Sequence, residues 1–177
     1  MIEQAKKLNK SAIREIYLTY KDAVFNLAFR ITGERAVAQD VMQESFIKVI
    51  DKIQSYKGTG TFASWLKRIV VNQAISKLRF EDKFEPGCVS DGDELISTDL
   101  FNANWIEASM DLTSLLARLN DTMRAVFWLH EVEGLDHKEI AVLFNKTDSF
   151  SKVNLMRAYQ KLKQLAHTTD MGERKCI

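Results

Sequence analysis

Between Phe62 and Phe80 the chain carries Lys67, Arg68, Lys77 and Arg79 with no acidic residue among them, alongside Trp65, Asn72 and Gln73. Cations neutralise phosphates, amides hydrogen-bond to bases and an aromatic ring offers a stacking surface, so this set suits single-stranded nucleic acid. The preceding stretch SYKGTGTF places Tyr56, Thr59 and Thr61 around Gly58 and Gly60, a loop that can surround an unstacked base. A solvated basic face with a buried tryptophan has the same composition, and these residues alone do not separate the two readings.

A second set lies near the C-terminus. Asp136 is placed to cap a short helix through Ile140, Ala141, Leu143 and Phe144, and Asn145–Asp148 form a turn, since asparagine tolerates left-handed backbone. A further helix from Asp148 or Ser149 has Val153, Leu155, Met156 and Tyr159 for packing. It offers Lys152, Asn154, Arg157 and Lys161 to phosphates or base edges. Two short helices with a tight turn make a helix-turn-helix, whose second helix can enter a DNA major groove. Helix pairs of this kind also serve as plain structure.

Catalysis has little support. HEVEG at 130–134 begins like a zinc-protease motif but lacks the second histidine, and His137 and His167 have no ligand partners at useful spacing. There is no phosphate-binding glycine loop. The chain is therefore read as a non-enzyme without cofactor or metal. Cys88 and Cys176 have no metal-ligand spacing either, and a cytoplasmic chain keeps both reduced.

The elements that position these sets are helical. Leu8, Ile13, Ile16, Tyr17, Tyr20, Val24, Leu27, Ala28 and Ile31 recur at three- and four-residue steps, predicting one long helix that stops near Gly33. A second helix is expected over about 35–53 and a third over about 62–80, the last burying Phe62, Trp65, Leu66, Ile69, Val70 and Leu78. Three such helices make one small core. Further helices are expected near 112–119 and 121–131. Residues 81–111 contain the only proline, Pro86, and no sustained period, apart from a short amphipathic piece at Leu95–Trp105. The expected fold is all-α, with two small helical domains, residues 1–80 and 112–177, joined by a linker.

Charge follows the same division. Residues 1–80 hold 14 Lys/Arg against 7 Asp/Glu, residues 81–111 hold 1 against 9, and residues 112–177 hold 10 against 8. Blocks of opposite sign suggest two modules that meet a polyanion, separated by an acidic tether. With 177 residues, 46% apolar and 28% charged, the composition is that of a soluble globular protein. No apolar run approaches membrane-spanning length and the N-terminus lacks the apolar core of a signal peptide, so a cytoplasmic location is expected.

The second helix poses its own question. AVAQDVMQESFIK at 36–48 has Val37, Val41, Phe46 and then Val49 for packing, with Asp40, Gln43, Glu44 and Lys48 near one another on the exposed side. An ordinary solvated face and a docking face are both compatible with that pattern.

Taken in order, DVMQESF, FASWLKRIVVNQAISKLR, an acidic linker and LARLNDTMRAVFWLHEVEGLDHKEIAVLFNKTDSFSKVNLMRA resemble the extracytoplasmic-function (ECF) sigma factors of bacterial RNA polymerase, over about Ile13 to Leu165. The resemblance implies that residues 1–80 are sigma region two and residues 112–177 sigma region four. It implies that Asp40, Gln43, Glu44, Phe46 and Lys48 dock on the clamp of the polymerase β′ subunit. It makes Tyr56, Lys57, Thr59, Trp65, Arg68, Asn72 and Arg79 the minus-ten reader, which captures a flipped base and holds the melted strand. Lys152, Asn154, Arg157 and Lys161 become the minus-thirty-five reader, in a module that also meets the β flap. The acidic linker is similar to the family segment that threads toward the RNA exit path. An anti-sigma factor or a serine/threonine kinase is the implied regulator.

Three departures from the family pattern stand out. Val37-Ala38-Gln39-Asp40 replaces a common Asp-Ala-Glu-Asp, removing two of three acids, and Ser76 stands where an aspartate is common. The recognition helix reads SFSKVNLMRA, so no promoter sequence carries over. A thinned acidic face can have its charge supplied by phosphorylation, and the nearby hydroxyls are Ser55, Thr59, Thr61 and Ser64, of which Thr59 and Thr61 are favoured. Two rival readings use the same residues: a helix-turn-helix regulator that binds duplex DNA without polymerase, and a sigma mimic that acts only through proteins.

Overall fold

The computed structural model describes residues 1–81 and 112–173, with side-chain surroundings for residues 1–79 and 114–165. All regular structure among them is helical, as the three- and four-residue recurrence requires. The chain divides into two units, Met1–Arg79 and Phe80–Ile177. The amphipathic piece expected at Leu95–Trp105 lies outside the described residues. No described helix is long and apolar enough to cross a membrane.

The first unit contains α1 (Ile2–Lys6), α2 (Lys10–Thr32), α3 (Arg35–Lys52) and all but the last two residues of α4 (Phe62–Glu81), with a 3₁₀ turn at Ile53–Ser55. The long first helix expected from Leu8 is broken at its start. Asn9 caps α2, its side-chain oxygen accepting from the amides of Ser11 at 2.9 Å and Ala12 at 3.2 Å. Leu8 takes the left-handed conformation, φ 58°, to join α1 to that cap. At the other end Gly33, φ 74°, closes α2 with its amide donating to the Phe29 carbonyl at 2.8 Å.

The stripe Ile16, Val24, Ala28 and Ile31 of α2 is buried, as are Ala38, Val41, Phe46 and Val49 of α3, which packs against it. Leu66, Val70, Ala74, Ile75 and Leu78 of α4 are buried too. Each large aliphatic side chain taken fully out of water contributes about 1.5–3 kcal/mol, so burial dominates the stability of this unit.

The second unit contains α5 (Leu112–Leu116), α6 (Asp121–Phe127), α7 (His137–Phe144) and α8 (Asp148–Glu173). The helix expected through Glu131 widens into a π-helical turn at Trp128–Val132. There the amide of Glu133 donates to the Trp128 carbonyl at 3.1 Å, and the Trp128 indole N–H donates to the Glu133 carboxylate at 3.1 Å. Asp136 caps α7 as expected, in a reciprocal box. Its carboxylate accepts from the Glu139 amide at 2.7 Å, and the Glu139 carboxylate accepts from the Asp136 amide at 2.9 Å. Asn145 ends α7 in the left-handed conformation, φ 55°. Leu155, Ala158, Tyr159 and Leu162 of α8 are buried, and α8 packs on α6 and α7.

Candidate functional site

In α4, Arg68, Asn72 and Arg79 are four and seven residues apart, so they share one stripe, and all three are exposed. Lys67 and Ser76 are exposed as well. The Asn72 side-chain amide donates to the Arg68 carbonyl at 2.6 Å, a bond that an exposed side chain exchanges readily for another acceptor.

The aromatic residues beside this stripe form a wall. Tyr56 and Trp65 are 5.5 Å apart between ring centroids, Phe62 is 5.6 and 5.5 Å from each, and Tyr20 lies 5.5 Å from Phe62. Trp65, expected on the buried side, is only half-buried and leaves part of its ring to solvent. The loop between Tyr56 and Thr61 turns at Gly58, φ 74°, where an L-residue would be strained. The Tyr56 hydroxyl donates to the Gly60 carbonyl at 2.6 Å and ties the loop's two ends together.

The loop's two threonines differ. Thr61 caps α4, its hydroxyl oxygen accepting from the Ser64 amide at 3.1 Å and lying 2.8 Å from the Ser64 hydroxyl. Thr59 and Lys57 are exposed. From behind, α1 braces this region: the Gln54 side-chain amide donates to the Lys6 carbonyl, and the Lys6 ammonium sits 5.8 Å from the centre of the Tyr56 ring.

On α3, Asp40, Gln43 and Lys48 are exposed and Glu44 is partly so. Phe46 is not available to a partner in the same way. It is 8% exposed and meets Tyr17 edge-on at 4.9 Å, in the packing role that its helical position predicts. Ile47 was not singled out by sequence, yet it is 59% exposed and one turn on from Gln43. Its spacing of seven from Asp40 was the available signal. Glu44 is held from α4: its carboxylate accepts from the Lys77 ammonium at 2.7 Å and from the Gln73 amide at 2.9 Å. The Gln73 carbonyl oxygen in turn accepts from the Lys48 ammonium.

On α8, Lys152 and Lys161 are exposed and Arg157 is half-exposed. Asn154, expected among the DNA-facing residues, is turned inward instead. It is 9% exposed, and its amide donates to the Phe150 carbonyl at 2.8 Å. Position 154 falls on the arc shared by Ser151, Leu155 and Ala158, so the packing geometry of α8 takes it into the core. Lys163 is exposed and lies eleven residues from Lys152, three turns along the same stripe, a spacing the sequence reading passed over.

His137 pins the start of α7 to α8. Its ring stacks on His130 with centroids 4.6 Å apart, and its Nδ1 lies 3.0 Å from the hydroxyl of the fully buried Ser151. Burial is the main cause of a lowered His137 pKa, with the charges of His130 and Lys152 adding to it and those of Asp136 and Asp148 opposing it. Burial, together with the Glu131 carboxylate, pushes the Tyr159 hydroxyl pKa well up. His130 itself pairs with Glu131 at 2.9 Å, and no metal-binding group of three or more ligands occurs among the described residues.

Residues 16–84 match the family model for sigma-70 region 2 and residues 109–162 match that for sigma-70 region 4, together well over half of the chain. The chain is similar to the ECF RNA polymerase sigma factor SigW of Bacillus subtilis, at 27% identity over 92% of this chain and 93% of that one. To SigM of the same organism it is 29% identical, over 86% of this chain and 94% of that one. To SigE of Mycolicibacterium smegmatis it is 28% identical over 84% of this chain, but it spans only 59% of that longer relative. Among solved structures, the fold is similar to that of the Bartonella quintana sigma factor RpoE, solved in complex with the anti-sigma factor NepR. The TM-score is 0.52 at 19% identity, covering 86% of this chain and 94% of that one. The chain belongs to the ECF sigma factors of the sigma-70 family.

Proposed function

We propose that this chain binds core RNA polymerase and directs it to promoters, with residues 1–80 as region two, 81–111 as linker and 112–177 as region four. The observation that carries the reading is the exposed Arg68–Asn72–Arg79 stripe beside an aromatic wall and a glycine-turned loop. A regulator of duplex DNA needs no such single-strand face, and a sigma mimic needs no nucleic-acid face at all. In this reading Tyr56, Lys57, Thr59 and Trp65 receive a flipped base of the melted strand, while Arg68, Asn72 and Arg79 hold its backbone and edges. Lys152, Arg157 and Lys161 contact minus-thirty-five duplex, and Asn154 supports the helix that presents them.

Asp40, Gln43, Glu44 and Lys48 meet the β′ clamp, and region four meets the β flap. The chain makes no bond itself and works where polymerase works, in the cytoplasm. Run-off transcription with purified core polymerase on genomic promoter DNA tests the reading: a promoter-dependent product is expected, and its absence when core is bound overturns it.

Control of the docking face is a finer reading. The face lacks acids at Val37 and Gln39, and each missing contact pair weakens docking by about 1–3 kcal/mol. Phosphorylation of Thr59 by a serine/threonine kinase would add charge; Thr61 is less suited because its hydroxyl caps α4. Control by an anti-sigma factor is the rival, favoured by the relative solved with one. Core affinity of Thr59→Asp and of the pair Val37→Asp with Gln39→Glu separates them. Tightening by both is expected if charge is limiting, and tight binding by the unmodified chain with no gain from either overturns the kinase reading.

A further inference from the structure

The docking face carries a counter-charge supplied by the chain itself. Residues 36–48 contain two acids, Asp40 and Glu44. Asp40 is exposed, whereas Glu44 is engaged by Lys77, which reaches it from α4 at 2.7 Å with side chains 41% and 31% exposed respectively. Gln73, only 5% exposed, holds the same carboxylate at 2.9 Å and also accepts from Lys48, so it fixes Glu44 and Lys48 from beneath. A cationic partner approaching this face meets a carboxylate that is already positioned and already paired.

We propose that Lys77 is an intramolecular competitor for Glu44 that sets how tightly the chain docks on polymerase, with Gln73 as the positioning residue that keeps the carboxylate in place once Lys77 lets go. The proposal rests on the reading of α3 as the docking helix. A partner's cation must displace Lys77, so one ion pair is exchanged for another and the net gain from Glu44 is small. The pair is partly exposed, so its weight is modest and falls as salt rises. The competitor compounds the loss of acids at positions 37 and 39, and the two together leave Asp40 as the acid of this stretch that carries no ion pair among the described residues.

The test is the affinity of the full chain for core polymerase, measured by competition at low and high salt. Lys77→Met keeps the aliphatic stem and removes the ammonium; it should bind about two- to five-fold tighter at low salt, with the gain shrinking at high salt. Lys77→Gln should behave alike, and Lys77→Arg should match the parent. In a Glu44→Gln background the gain should vanish, a coupling that a purely structural role for Lys77 would not produce. No tightening in Lys77→Met and Lys77→Gln, or the same tightening without Glu44, overturns the proposal. A chain that binds core in this order of affinities yet gives no run-off product overturns the sigma reading alone. Absence of core binding in every variant overturns both.

Discussion

Asn72 in α4 and Asn154 in α8 make the same local bond, each donating its side-chain amide to the carbonyl four residues back, at 2.6 and 2.8 Å. Asn72 is exposed and Asn154 is 9% exposed. In water the first bond is one option among several, and its loss to another polar group is offset by the bond gained. At the edge of the core the second has little solvent to replace it, and breaking it leaves a polar group poorly satisfied. The same residue type in the same helical geometry is thus free to exchange partners in one unit and committed to packing in the other. Burial, not chemistry, sets the role.

The two units are expected to unfold independently of one another. Leu162 is fully buried in α8, and Leu162→Ala should destabilise the second unit by about 2–5 kcal/mol. Followed by helical signal and by a probe in each unit, denaturation should then show an early loss of α8 with the first unit's midpoint unchanged. A single transition moving as a whole would mean that the units do not unfold separately.

The two asparagines give the next largest effect. Asn154→Ala should cost the second unit about 0.5–1.5 kcal/mol, the worth of one intramolecular hydrogen bond. Asn72→Ala should leave the first unit's stability close to unchanged and instead weaken promoter opening, read by permanganate reactivity of the melted strand. Normal melting by Asn72→Ala would remove that residue from the strand face.

A smaller difference lies in pH. Burial lowers the His137 pKa in the folded second unit, so the unfolded chain binds the proton more readily. The contribution is fully present above the unfolded value of about 6.5 and is lost as pH falls from there through the lower folded value. The second unit's denaturation midpoint should therefore drop between neutral and mildly acidic pH, and His137→Asn should flatten that dependence. The first unit contains no histidine and should show no such slope in this range.

What the sequence disclosed was local. The Asp136 cap and the left-handed Asn145 depend on residues within one turn of each other, and both were readable from type and spacing. The break at Leu8–Asn9 was hidden because the apolar period runs through it, and the side chain of Asn9 outcompetes that period by taking two amides. Asn154 was misplaced because a polar residue inside an apolar arc looks like surface until neighbouring helices close over it. Glu44 and Lys77 are 33 positions apart, and nothing in either local pattern announces that they meet. The polar faces of α3 and α4 were visible, but the contacts that cross between them were not.

Leu8 is a leucine held where glycine or asparagine would rest without strain, φ 58°, and it is 62% exposed, so little packing compensates. Left-handed backbone of this kind costs about 1–2 kcal/mol. The joint therefore costs the folded first unit free energy that a glycine or asparagine there would not. Displacing α1 would take Lys6 from the Tyr56 ring and the acceptor from Gln54. Five residues of helix thus hold Gln54 and Tyr56, at the start of the glycine loop, through a joint that is itself strained.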